Sequence, residues 1–95
     1  MKINNKEIAK ILYEISECLE IKGIQFKPRA YEKAGYSFEN LEEEVSEIYK
    51  KGGLKAVEKI PGVGVSIAKK IEKLIKTGHS KYYEKLKKSL PVEVG

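Results

Sequence analysis

The chain contains no tryptophan, one cysteine, one histidine and two phenylalanines in 95 residues. A single cysteine excludes an internal disulfide, and with one histidine beside it no Cys/His cluster of zinc-binding size can form. No apolar run approaches the roughly 20 residues a bilayer span needs. The opening Met1-Lys2-Ile3-Asn4-Asn5-Lys6 lacks the apolar stretch of a secretory signal. An intracellular, cytoplasmic protein with no membrane partner is expected. No segment alternates with period two, which removes the main signal for a sheet. The length suits one domain over residues 1–95, with one modest core, and is too small for most two-layer enzymes.

Charge is plentiful and unevenly spread. Residues 1–49 hold 7 Lys/Arg against 10 Glu, whereas residues 50–95 hold 12 Lys against 4 Glu. The basic half favours an anionic polymer as partner. Lys-rich solubilising helices would give the same count.

Helical periodicity runs throughout. Ile8, Ile11, Leu12, Ile15, Cys18 and Leu19 share one face of a helix expected over about 5–22, with Asn4 as N-cap and Gly23 as its stop. Cys18 on that face reads as core packing. Pro28 suits the first turn of a second helix, whose inner face is Ala30, Tyr31, Ala34 and Phe38. Asn40 is expected to cap a third helix with Glu42, Glu43 and Glu44 in its first turn and Leu41, Val45, Ile48 and Tyr49 inward. Those carboxylates, with Glu47, read as a solvated face. After Gly52-Gly53 a short helix carries Leu54, Val57 and Ile60. Ser80 should cap a last helix with Tyr83, Leu86 and Leu90 inward, stopped by Pro91. The Val92-Glu93-Val94-Gly95 tail reads as the end of one piece of a longer chain.

The most informative stretch is Lys59-Ile60-Pro61-Gly62-Val63-Gly64-Val65-Ser66-Ile67-Ala68-Lys69-Lys70-Ile71. Pro61 ends the preceding helix at about Ile60. Gly62 and Gly64 are able to take positive φ, and without Cβ atoms they leave the backbone bare. The turn opens into a helix over Val65–Lys76, so unpaired N–H groups of Gly62 to Ser66 point outward, as at a phosphate site. The stretch resembles the hairpin of a helix-hairpin-helix motif, covering about residues 53–77 and binding DNA backbone without sequence preference. A tight turn between two core helices is the alternative. At about 100° per residue, Lys70 falls at the border of the apolar face, on the side of Ser66 and Lys73, while Lys69 points away. A half-buried lysine among cations has a lowered pKa and a nucleophilic amine. A lysine laying its stem along the core with its head in water fits the same position.

Phe26-Lys27-Pro28-Arg29-Ala30-Tyr31-Glu32-Lys33-Ala34, followed by Gly53 to Gly64 and Ile67-Ala68-Lys69-Lys70-Ile71, resembles the N-terminal domain of family X DNA polymerases over about residues 5–92. The resemblance implies an all-α helical bundle, monomeric and nucleoid-associated, that grips gapped or nicked DNA at the 5′-phosphate. Polymerisation itself would lie outside these residues. It implies DNA-binding roles for Lys27, Arg29, Tyr31, Lys33, Lys59, Gly62, Val63, Gly64, Val65, Ser66, Lys69 and Lys73. Beta-type members carry a 5′-deoxyribose-phosphate lyase activity through a Schiff-base lysine, whose place Lys70 occupies. No cofactor is needed for binding, and the family's hairpins hold Na+ or K+ on carbonyls that correspond to Glu58, Ile60 and Val63. Phe26 stands where beta-type members have histidine, and Ser66 and Tyr82 where they have phosphate-pocket lysines. The chain is closer to bacterial and archaeal members. Three readings follow: a DNA-binding module of a repair polymerase, a lyase domain, or a protein-interaction bundle. His79 reads as a surface phosphate contact or as having no role. Tyr82 and Tyr83 read as one core and one half-exposed ring, with base stacking as the other reading.

Overall fold

The structure, a computed structural model, describes residues 3–90. Five helices follow in order: α1 (Asn5–Ile21), α2 (Lys27–Glu39), α3 (Val45–Glu58), α4 (Val65–Thr77) and α5 (Lys81–Lys88), with no strand among the described residues. The all-α expectation holds. Met1, Lys2, Pro91 and the tail beyond it lie outside the described residues, and so does the reading of Pro91 as a helix stop.

The ends of α1 follow from its sequence. Asn4 accepts the Glu7 N–H at 2.9 Å while the Glu7 carboxylate accepts the Asn4 N–H at 3.2 Å, a reciprocal capping box. At the other end Gly23 takes φ 76°, and the Ile24 N–H reaches the Leu19 carbonyl while the Gly23 N–H reaches that of Glu20. These paired bonds use up carbonyls that a helix end would otherwise leave bare. Between the caps, Ile8, Leu12, Ile15 and Leu19 are buried in one stripe, each burial contributing roughly 1.5–3 kcal/mol. Cys18 packs there as expected, and burial pushes its thiol pKa up.

A short connection folds α2 back onto α1, and the buried Ser16 hydroxyl donates to the Pro28 carbonyl at 2.7 Å. Tyr31, Ala34 and Phe38 are buried, together with Pro28 and Gly35. Ala30, expected inside, is exposed. The stripe centres about 90° around the helix from it. Gly35 leaves room for the Tyr13 ring of α1, since a Cβ there would lie 2.8 Å from its Cε1.

Asn40 does not cap α3. It ends α2, with its N–H on the Tyr36 and Ser37 carbonyls and its side-chain amide on that of Tyr36. Glu42, Glu43 and Glu44 precede α3 instead of forming its first turn, which carries Glu47. The reason lies in α1. Buried Asn5 accepts the Val45 N–H at 2.8 Å and donates to the Glu43 carbonyl at 2.9 Å, while Glu44 accepts the Asn5 N–H at 3.0 Å. A side chain from another helix thus caps α3 and sets its start. The expected break at Gly52-Gly53 is present: Gly53 has φ 67° and ψ −159°, so α3 bends there and its last turn becomes the first arm of a hairpin. Val45 and Val57 pin its two halves to the core, which α4 completes with Ile67, Ala68, Ile71 and Leu74. Ser80 caps α5 by accepting the Tyr83 N–H at 3.1 Å, and Leu86 anchors α5 against the core.

Candidate nucleic-acid interface

The turn between α3 and α4 is anchored by its apolar residues. Ile60 and Val63 are buried, and the Val63 N–H closes the turn on the Ile60 carbonyl at 2.9 Å. Pro61 and Gly62, the two central residues, are exposed, and Gly62 takes φ 80°. Proline followed by a positive-φ glycine is the demand of a type II turn. The turn is docked on α2: the Ser37 hydroxyl donates to the Pro61 carbonyl at 2.6 Å, and a Cβ on Gly62 would sit 3.5 Å from the Lys33 backbone. Gly64 is different, being extended at φ −88° and ψ −178° with open space where its Cβ would be. It is the N-cap of α4 and, being glycine, brings no side chain to cap that helix. The first i→i−4 bond of α4 runs from the Ala68 N–H to the Gly64 carbonyl, so the N–H groups of Val65, Ser66 and Ile67 have no acceptor of that kind inside the helix. Bare donors at the positive end of a helix dipole, next to a residue without a side chain, favour an anion.

Lysines line the flank beyond that end. Val65, Ser66, Lys69, Lys70 and Lys73 enclose a shallow depression of about 430 Å³. Lys70 is half-buried while Lys69 and Lys73 are exposed, as the helical projection required. The Lys70 ammonium donates to the Ser66 hydroxyl at 3.0 Å and lies 4.5 Å from the centroid of the Tyr82 ring. Tyr82 in turn stacks on Tyr31, with centroids 6.1 Å apart and planes 18° apart. Burial lowers the Lys70 pKa from its ordinary value, and the Lys27 charge lowers it further.

The residues expected on α2 do not form one wall. Lys27 stands near Lys70, while the Lys33 backbone lies against Gly62, where Tyr36, Ser37 and Pro61 help line a separate groove. Tyr31 is only 4% exposed, so its ring faces Tyr82 and the core rather than solvent, and burial drives its pKa well up. Arg29 is exposed and projects about 200° around the helix from Lys27. Lys59 caps the C-terminus of α3 beside the turn. Val63 spends its N–H on the turn, which leaves Gly62, Gly64, Val65 and Ser66 of the expected donors. The Ile60 carbonyl accepts that N–H and retains a second lone pair. No cluster of three or more His, Cys, Asp or Glu suited to a metal ion occurs among the described residues. His79 is exposed, and Tyr82 and Tyr83 are both half-buried, with Lys87 above the Tyr83 ring.

Phe26 had no assigned role. It is 87% exposed and holds φ 69°, ψ −45°, while the Lys27 N–H bonds back to the Gln25 carbonyl at 2.8 Å. This is a γ-turn of the rare hand, in a conformation that costs a non-glycine residue roughly 1–3 kcal/mol. The signal in the sequence was that Phe26 falls off the apolar stripe of α2.

The described helices include none long and apolar enough to cross a membrane. Comparison with curated proteins gives no match. A family model described as a helix-hairpin-helix domain matches residues 3–80, which takes in α1 to α4 and the whole hairpin. Such a domain supports DNA binding without sequence preference, in keeping with the uncapped turn and its lysines. The chain belongs to the helix-hairpin-helix domain family.

Proposed function

We propose that residues 1–95 form a single DNA-gripping module, the N-terminal domain of a family X repair polymerase of bacterial or archaeal type. It holds gapped or nicked DNA at a 5′-phosphate. The observation that carries this reading is the uncapped N-terminus of α4, opening beside bare Gly64 and flanked by Lys69, Lys70 and Lys73. Duplex backbone lies along the Gly62–Ser66 main chain, and Lys59, Lys69, Lys70 and Lys73 displace its counterions. Lys27, beside Lys70, extends the basic surface, while exposed Phe26 offers an aromatic face to an unpaired base. A Na+ or K+ ion on the carbonyls of Glu58, Ile60 and Val63 would add a positive charge between loop and phosphate. A gap carrying the 5′-phosphate should bind more tightly than the same gap without it. Equal affinities would remove the terminal-phosphate pocket and leave backbone binding alone.

A second reading rests on the lowered pKa of Lys70. There the free amine attacks the aldehyde of an incised abasic site and forms a Schiff base with loss of water. Loss of a C2′ proton to water and cleavage of the C3′–O bond then release the 5′-phosphate strand, and hydrolysis frees the unsaturated sugar phosphate and restores the amine. Borohydride trapping on such DNA separates the readings. An adduct that vanishes in Lys70→Ala supports lyase chemistry, while absence of an adduct in the wild type leaves a binding module. A protein-interaction bundle, the third reading, predicts DNA affinity that is weak and indifferent to the hairpin.

A further inference from the structure

Lys70 feels residues of three helices, its own among them, and their effects are not alike. Ser66 on α4 accepts one of its hydrogens, Lys27 on α2 repels it, and the face of Tyr82 on α5 lies 4.5 Å beneath it. Lys69 and Lys73, its neighbours on α4, add further positive charge along the same depression. An ammonium among cations gains from any group that attracts positive charge without competing for a phosphate, and an aromatic face meets both conditions. Tyr82 is held in place in its turn. Its ring stacks on Tyr31, a buried residue of the α2 core, so the platform is tied to the packing of the bundle. The lysine stem leans towards the N-terminus of its helix, as helical side chains do. Its ammonium therefore stands one turn inside α4, at Ser66, on the side of the bare N–H groups.

We propose that Tyr82, seated on Tyr31, is a positioning residue that holds the Lys70 ammonium beside the hairpin as a fixed cation for a DNA phosphate. This deepens the DNA-binding reading and rests on it. The ring face attracts the charged amine and the Ser66 hydroxyl fixes its position, while burial and Lys27 lower its pKa. An ammonium held there is placed to bind phosphate.

Proton NMR of the chain alone reads the contact directly, because an aromatic face shifts the protons of a group above it upfield. The Lys70 ε-methylene protons should be shifted upfield in the wild type and in Tyr82→Phe, and return to ordinary positions in Tyr82→Leu. Circular dichroism checks that each variant keeps its helices. On a 5′-phosphorylated gap, Tyr82→Leu should lose about two- to fivefold in affinity, with Tyr82→Phe restoring it. Unshifted Lys70 protons in the wild type, or equal affinity in Tyr82→Leu and the wild type, would overturn the proposal. If the wild-type chain fails to bind gapped DNA at all, the DNA-binding reading falls and the phosphate role falls with it. The ring-current result then judges the Tyr82–Lys70 contact separately.

Discussion

Single residues in this chain do work that their type does not announce. Gly35 in mid-helix reads from sequence as a local loss of about 1 kcal/mol against alanine, yet the Tyr13 ring occupies the space a Cβ would need. Gly35→Ala should therefore destabilise by about 1–3 kcal/mol in denaturant unfolding, despite its better helix propensity. In a Tyr13→Ala background the same change should cost much less, and an unchanged cost there would show that the ring is not the obstacle. Tyr13 also donates its hydroxyl to Glu39, and that bond, ahead of burial, raises its pKa from 10.0 to about 12. The folded state thus holds this proton more tightly than the unfolded chain. The stability it contributes is fully present below pH 10 and is lost as pH rises towards 12. Tyr31, raised by burial, acts in the same direction. Thermal unfolding followed across that alkaline window should show a falling midpoint, with a shallower fall in Tyr13→Phe.

At the scale of elements, the sequence was most readable where local chemistry decides. The Asn4–Glu7 box, Gly23, the Gly53 break and Ser80 all stand where periodicity and capping rules put them, because each needs only neighbours in sequence. The start of α3 was misplaced because its cap is Asn5, some forty residues upstream, and no local rule links the two. Asn5→Ala should then act as a lost helix cap as well as a lost buried polar network. A loss of about 2 kcal/mol in unfolding free energy is expected, with amide exchange quickening in the first turn of α3. Exchange quickening only within α1 would contradict that link. The hairpin shows the same division. Proline and glycine announced the turn, but of its two glycines only Gly62 takes positive φ. Gly64→Val should cost no more than about 1 kcal/mol as a poorer N-cap, its extended backbone suiting a β-branched residue, while obstructing DNA at the open N-terminus. Gly62→Val should destabilise the fold itself, and the contrast separates a residue needed for shape from one needed for access.

For the molecule as a whole, the imbalance between an acidic first half and a basic second half becomes spatial. α1 carries Glu14, Glu17 and Glu20, whereas α4 and α5 carry most of the lysines around and beyond the hairpin. The basic partner surface was legible from composition. The grouping of α2 residues was not, because whether Lys27, Tyr31 or Lys33 meets the hairpin depends on how α2 is rotated in the bundle. Packing of Tyr31, Ala34 and Phe38 into the core, chiefly against α1, decides that rotation. In the proposed function, main-chain donors at the hairpin, aided by Lys59, Lys69, Lys70 and Lys73, neutralise DNA phosphates. The salt dependence of binding to a 5′-phosphorylated gapped duplex measures that neutralisation. With about four phosphates neutralised, log affinity should fall with log salt at a slope of roughly −3.6 in the wild type, and Gly64→Val should bind far more weakly at every salt concentration. A slope near zero, or Gly64→Val binding as tightly as the wild type, would contradict it.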